Sequence, residues 1–130
     1  WAAGRVAERR DEQTLELLRG FVERMEAEAL DPDRFRSVDI DFHLALVRAG
    51  QNELATLIVE AIRHSLEQIV LDRFLREADW ATLREQLTRE HRGILQAIER
   101  RDSESAKRLV EQHIRSFWEL RLGDSPDSAD

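Results

Sequence analysis

Apolar residues recur at intervals of three and four along most of this chain, which is the spacing of one buried face of an α-helix. No segment shows the strict alternation of apolar and polar residues that is typical of a half-buried strand. The pattern predicts the end of a helix in the opening "WAAGRVAERR", followed by five longer helices. These predicted helices cover residues 11–29, 32–49, 53–75, 80–98 and 103–120.

Residues that favour helix ends support these boundaries. Asp31 suits the N-cap and Pro32 the first position of the helix 32–49, and Gly50 suits its C-terminal end. The N-caps predicted for the three helices that follow are Asn52, Asp79, and Asp102 or Ser103. Long amphipathic helices with short connections predict an all-α fold, an antiparallel helical bundle.

Composition narrows the class of protein. At 130 residues, with 42% apolar and 36% charged residues, the chain is expected to form one domain with one core. It contains no cysteine, which excludes disulfides and thiolate metal sites, and no apolar run approaches the ~18 residues of a membrane span. The net charge of -7, with acids and bases interleaved, argues against nucleic-acid binding by this chain itself. A cytoplasmic location is the default expectation.

The segment "VDIDFHLAL" contains an acid and a histidine that face the predicted core. Asp39 and His43 are four residues apart, so on a helix they project side by side. The line between them is flanked by Phe35, Phe42 and Leu46, which mark the apolar face. Because a buried carboxylate without a partner costs several kcal/mol or more, something must compensate Asp39.

Two further histidines lie within apolar stripes on other helices. His91 falls in the row of Leu87 and Ile94, and His113 in the row of Leu109 and Phe117. A bundle can therefore bring Asp39, His43, His91 and His113 together at its centre. A divalent metal bound by all four side chains would compensate their burial. Zinc is expected first, and nickel, manganese or iron are compatible with the same ligands. Such an ion keeps one or two coordination positions for water or a ligand carboxylate.

Other interpretations stay open at this point. A single inward histidine is more often a hydrogen-bonded core residue, so a metal-free structural dimerisation bundle is possible. A metal-dependent enzyme, either a non-haem iron oxygenase or a hydrolase, could use the same ligands. No additional general base and no Glu-x-x-His motif accompanies the cluster, which disfavours the enzyme. His64, at the margin of its helix's apolar face, is interpreted as a boundary histidine.

Two segments resemble a known family. "DIDFHLALVRAGQNELA" and "EHRGILQAIERRDSESAKRLVEQHI" are similar to the C-terminal effector-binding domain (FCD) of FadR-subfamily GntR-type transcription regulators. The matching residues are Asp39, Phe42, His43, Gly50, Asn52, Glu90, His91, Ala97, Ile98, Asp102, Ala106 and His113. The resemblance covers about residues 1–121, and residues 122–130 are expected to be a disordered tail.

The resemblance implies a helical bundle of six or seven helices, commonly a homodimer, with a small-molecule pocket in its middle. It implies that Asp39, His43, His91 and His113 bind a divalent metal and that a small carboxylate effector coordinates it. Family members bind operator DNA through an N-terminal winged helix-turn-helix, which has no counterpart in this sequence. The first helix of the domain is expected to be cut short here, so the effector-binding Arg that it usually supplies is missing. The implied protein is a regulator and not an enzyme, with no membrane association.

Overall fold

A computed structural model describes residues 1–9 and 11–123. These residues form six helices and no strand, so the predicted all-α helical bundle is confirmed. The helices are α1 (Ala2–Arg9), α2 (Glu12–Ala27), α3 (Pro32–Ala49), α4 (Glu53–Leu75), α5 (Trp80–Glu99) and α6 (Ser103–Gly123). The predicted tail began at residue 122, but α6 continues to Gly123; residues 124–130 lie outside the described residues.

The predicted N-caps are confirmed, since each accepts a hydrogen bond from the backbone N–H three residues later. The distances are 2.8 Å for Asp31 and Arg34, 3.0 Å for Asn52 and Ala55, 3.1 Å for Asp79 and Thr82, and 3.0 Å for Asp102 and Ser105. Of the two candidates for the start of α6, Asp102 is therefore the cap. Together these bonds satisfy backbone donors that the first turn of each helix leaves free.

Gly50 is the C-cap of α3, as predicted, and it also makes room for the N-terminal segment. Gly50 has a right-handed conformation (φ -67°), and the left-handed residue after α3 is Gln51 (φ 55°). A Cβ at position 50 would lie 3.2 Å from ring carbon Cζ3 of Trp1 and 3.3 Å from Cβ of Ala2. Gly50 thus allows the N-terminal segment to pack closely against the end of α3.

The core lies between α2, α3 and α5, with α1 and α6 against one side. Phe35 is fully buried at its centre, and its ring meets Phe74 and Trp80 edge-on at centroid distances of 5.9 and 5.5 Å. Trp80 also donates from Nε1 to the carbonyl of Leu30 at 3.0 Å, which ties the loop after α2 to α5. Each large side chain buried in this way contributes about 1.5–3 kcal/mol of transfer free energy.

Helix α4 is attached differently. It packs principally against α3, where Arg63 pairs with Asp41 at 3.0 Å and Arg48 pairs with Glu60 at 2.8 Å. Asp41 is partly buried where it forms this pair. Much of the apolar face predicted for this helix is exposed, namely Leu54, Leu57, Ile58 and Ile62. No described helix is long and apolar enough to cross a membrane.

Candidate metal centre

Helix α3 supplies the carboxylate and the first imidazole of the predicted cluster. Asp39 is 8% exposed, and its Oδ1 lies 3.3 Å from Nε2 of His43, one turn later. Phe42, fully buried beside them, contacts the His43 ring edge-on at 5.6 Å. The apolar neighbours that were predicted to turn this face inward therefore do so.

Helix α5 contributes His91, whose side chain is completely buried. Its Nδ1 lies 2.6 Å from the backbone carbonyl of Leu87, an acceptor only, so Nδ1 carries the hydrogen. In the neutral ring, Nε2 is then left with a lone pair, and it lies 2.7 Å from Oδ1 of Asp39. The backbone of α5 thus sets which nitrogen faces the carboxylate.

Helix α6 contributes His113, which is oriented in the same way by a side chain. Its Nδ1 lies 2.5 Å from Oε2 of Glu90, and its Nε2 lies 3.2 Å from Nε2 of His43. Burial raises the pKa of Glu90, but hydrogen bonds from His113 and Gln86 outweigh that effect and lower it. An ionised Glu90 therefore accepts the Nδ1 hydrogen of His113 and turns Nε2 toward the cluster.

Four ligand atoms, one from each predicted residue, lie within 4.8 Å of one another. Neighbouring ligands around an ion with bonds of 2.0–2.1 Å are roughly 3.0–3.4 Å apart, close to the separations of 2.7, 3.2 and 3.3 Å observed here. The group of Asp39, His43, His91 and His113 could therefore hold a metal ion. The identity of that ion stays a prediction.

The buried atoms at the centre also need a partner. Within the described residues, neither Oδ1 of Asp39 nor Nε2 of His91 makes a hydrogen bond, although the two are 2.7 Å apart. Both atoms carry lone pairs when His91 is neutral, so their proximity is repulsive without a cation between them. Burial raises the pKa of Asp39, but the close approach of the His43 and His91 rings to its carboxylate outweighs that effect and holds the pKa well below its usual range. The residues fit a divalent cation.

A cavity of about 380 Å³ opens beside this cluster. Three of the four candidate ligands, Asp39, His43 and His113, line it, whereas His91 lies behind them. The remaining walls are Trp1, Ala2, Ala3, Ile40, Leu44, Leu46, Val47, Val59, Arg63, Leu66, Val70, Phe74, Leu87, Val110, Ile114 and Phe117. The volume falls within the ~300–1,000 Å³ typical of small-molecule sites.

Sequence reasoning found the four candidate ligands but missed the groups that orient them. Glu90 was noticed only as part of a family pattern, because its partner is on another helix, 23 residues away. Its position directly before His91 gave no sign that it would face His113. His64 is exposed on α4 and outside the cluster, consistent with its interpretation as a boundary residue.

Comparison with known families identifies the class of domain. The model of the FCD domain matches residues 1–116, so the chain belongs to the FCD domain family. No curated protein matches it. FCD domains are the effector-binding domains of GntR-type transcription regulators, which confirms the predicted resemblance at that level. The FadR subfamily stays a prediction, and family membership favours a regulator over an enzyme.

Proposed function

We propose that this chain is the metal-dependent sensor domain of a bacterial transcription regulator. Residues 1–121 would bind a divalent metal through Asp39, His43, His91 and His113, together with a small carboxylate effector. In the cytoplasm, the intact protein would bind operator DNA through a winged helix-turn-helix upstream of this chain, and the effector would modulate that binding. The observation that carries the proposal is the cavity whose wall contains three of these four side chains.

The donor set suits this role. Three imidazoles and one carboxylate are ligands that zinc, nickel, manganese and iron accept, and zinc is our first expectation. When bound, such an ion supplies a positive charge and one or two coordination positions for a carboxylate oxygen. Because His91 lies behind the other ligands, those positions would face the cavity.

Groups of the protein itself orient two of the imidazoles for metal binding. The carbonyl of Leu87 and the carboxylate of Glu90 hold the Nδ1 hydrogens of His91 and His113. The Nε2 atoms of both rings therefore face the cluster with a free lone pair, and no rearrangement is needed. Hydrogen-bond partners of metal-binding histidines generally orient the rings in this way. Phe42 packs against two of the imidazoles, at 5.6 Å from His43 and 4.9 Å from His91, and limits ring rotation.

An effector in the cavity would change helix packing through α4. This helix provides Val59, Arg63, Leu66 and Val70 to the wall of the cavity that the candidate ligands of α3 and α6 also line. Apart from Phe74, which is buried in the core, α4 packs principally against α3, so its exposed N-terminal part has the least packing to resist displacement. An effector that binds one position of α4 better than another would shift the population between the two.

The same helix is our proposed homodimer interface. Leu54, Leu57, Ile58 and Ile62 share one face of α4 and are 68%, 64%, 52% and 44% exposed. A contiguous exposed apolar face of this kind is typical of a protein–protein interface. FCD domains of GntR-type regulators typically dimerise, so a second copy of this chain is the expected partner. The dimer would link the cavity to the paired DNA-binding modules.

Metal binding by single variants tests the proposal. We expect wild-type protein, stripped with chelator and titrated with zinc in a calorimeter, to bind one ion per chain. His91→Ala removes a central ligand and should weaken zinc binding by more than about 100-fold. His64→Ala is the matched control, because His64 lies outside the cluster, and should bind as wild type does. Equal binding by His91→Ala, or none by wild type, would refute the metal site.

A further inference from the structure

We infer that the effector of this chain is a monocarboxylic acid with an apolar body, and not a polyhydroxylated or multiply charged acid. The inference rests on the proposed function, since it takes the metal cluster as the point where the carboxylate binds. It goes beyond that function by assigning the chemistry of the rest of the ligand from the cavity wall.

The cavity wall away from the cluster is almost entirely hydrocarbon. Ile40 and Leu44 of α3, Val59 and Leu66 of α4 and Val110 of α6 are typical of it. Among the described residues that line the cavity, none has a hydroxyl or amide side chain. Hydroxyl groups of a sugar acid would lose their hydrogen bonds to water here without finding replacements, which disfavours their binding. An alkyl or aryl body would instead bury apolar surface on both sides.

The charges of the wall disfavour a second carboxylate. Arg63 is the one cationic side chain among the described residues lining the cavity. Its guanidinium already pairs with Asp41 at 3.0 Å and with Glu67 at 2.8 Å. The second carboxylate of a dicarboxylic acid would have to compete with Asp41 and Glu67 for Arg63. The described residues that line the cavity offer it no other cationic side chain.

The size of the cavity limits the apolar body. About 380 Å³ is near the lower end of the range for small-molecule sites, and part of this space adjoins the cluster. A short or medium alkyl chain, or a single aromatic ring, therefore fits better than a large conjugate. The carboxylate of the expected ligand would bind the ion held by Asp39, His43 and His113. Its hydrocarbon end would lie among Val59, Leu66 and Val110.

A matched series of acids tests this on zinc-loaded protein after the zinc stoichiometry has been measured. We expect affinity to rise by about fourfold per methylene from acetate through butanoate to hexanoate. Gluconate and adipate have the same six carbons as hexanoate but add hydroxyl groups or a second carboxylate. Both should bind at least tenfold more weakly than hexanoate. Gluconate or adipate binding as tightly as hexanoate, or affinity that does not rise with chain length, would overturn the inference.

A pair of variants locates the apolar body. Leu66→Asn places an amide in the cavity wall and should reduce hexanoate affinity about tenfold while leaving acetate and zinc binding unchanged. Leu17→Asn makes the same change on α2, away from this cavity, and should bind hexanoate as wild type does. If both variants bind hexanoate as tightly as wild type does, the inference is also contradicted. Absence of zinc binding would instead refute the proposed function, so the two failures are distinguishable.

Discussion

The candidate metal site and the outer face of α4 both depart from the usual arrangement of buried apolar and exposed polar residues, in opposite directions. At the junction of α3, α5 and α6, a carboxylate and imidazoles are buried among apolar side chains. On α4, leucines and isoleucines face solvent. Buried polar groups and exposed apolar surfaces are the informative exceptions in a folded protein. We propose that each reflects a component from outside the chain, a cation in one case and a second subunit in the other.

The two regions also differ in how firmly they are held. Around the cluster, Leu87 and Glu90 orient two of the rings and Phe42 packs against two of them. Helix α4, by contrast, is anchored in the core only near its C-terminal end, where Phe74 packs against Phe35 and Trp80. The rest of it relies on packing against α3 and on partly exposed ion pairs, which contribute little individually. A rigid binding centre beside a helix that is anchored in the core at one end is an arrangement in which ligand binding can move the other end of the helix. Four predictions test that contrast.

The largest expected effect is the loss of stability on metal removal. An ion present at about 1,000 times its Kd stabilises the folded state by about 4 kcal/mol. For a domain of this size, chelation should lower Tm by roughly 10–15 °C in scanning calorimetry. Asp39→Asn removes the charged ligand and should melt at nearly the same temperature with and without chelator. If chelator leaves the Tm of the wild-type protein unchanged, no metal ion stabilises the site, and the prediction is wrong.

The next effect concerns dimerisation. Leu57→Glu places a charge on the exposed apolar face of α4 and should weaken the dimer by roughly 3 kcal/mol, more than about 100-fold in Kd. Sedimentation equilibrium would measure it. Leu17→Glu makes the same change at a half-exposed leucine of α2 and should leave the dimer intact. A dimer that survives Leu57→Glu and dissociates with Leu17→Glu would place the interface elsewhere.

A smaller effect is expected from the partner of His113. Glu90→Ala removes the acceptor of the Nδ1 hydrogen and should weaken zinc binding by about 10–100-fold, with little change in fold. Glu90→Gln keeps a neutral acceptor and should recover most of the loss. If both variants bind zinc as wild type does in calorimetry, Glu90 does not position His113.

The smallest effect isolates α4 from the cluster. Asn52→Ala removes the N-cap of α4 and should lower the free energy of unfolding by about 1 kcal/mol in urea denaturation. Asn52→Asp retains the side-chain oxygen and should be close to wild type. Zinc affinity should be unchanged in both variants, because the ligands are on other helices. A weakened zinc site in Asn52→Ala would show that the two regions are not separable.

Most of the fold followed from local patterns. The spacing of apolar residues predicted every long helix to within a few residues, and Asp31, Asn52 and Asp79 marked three starting points. The errors lie where local rules compete with packing. The second helix was predicted to continue to residue 29, but it ends at Ala27 and Ala29 is exposed. Gly50 is the C-cap of α3 as predicted, but the close packing of Trp1 and Ala2 against it was not.

By itself the sequence determined that Asp39, His43, His91 and His113 face inward, because helical periodicity sets which residues share a face with the core. Periodicity does not determine what lies opposite a face. Only the tertiary structure brought Glu90 to His113 and opened a hydrocarbon-walled cavity beside the cluster. It also left the apolar face of α4 without a partner among the described helices, since the core closes between α2, α3 and α5.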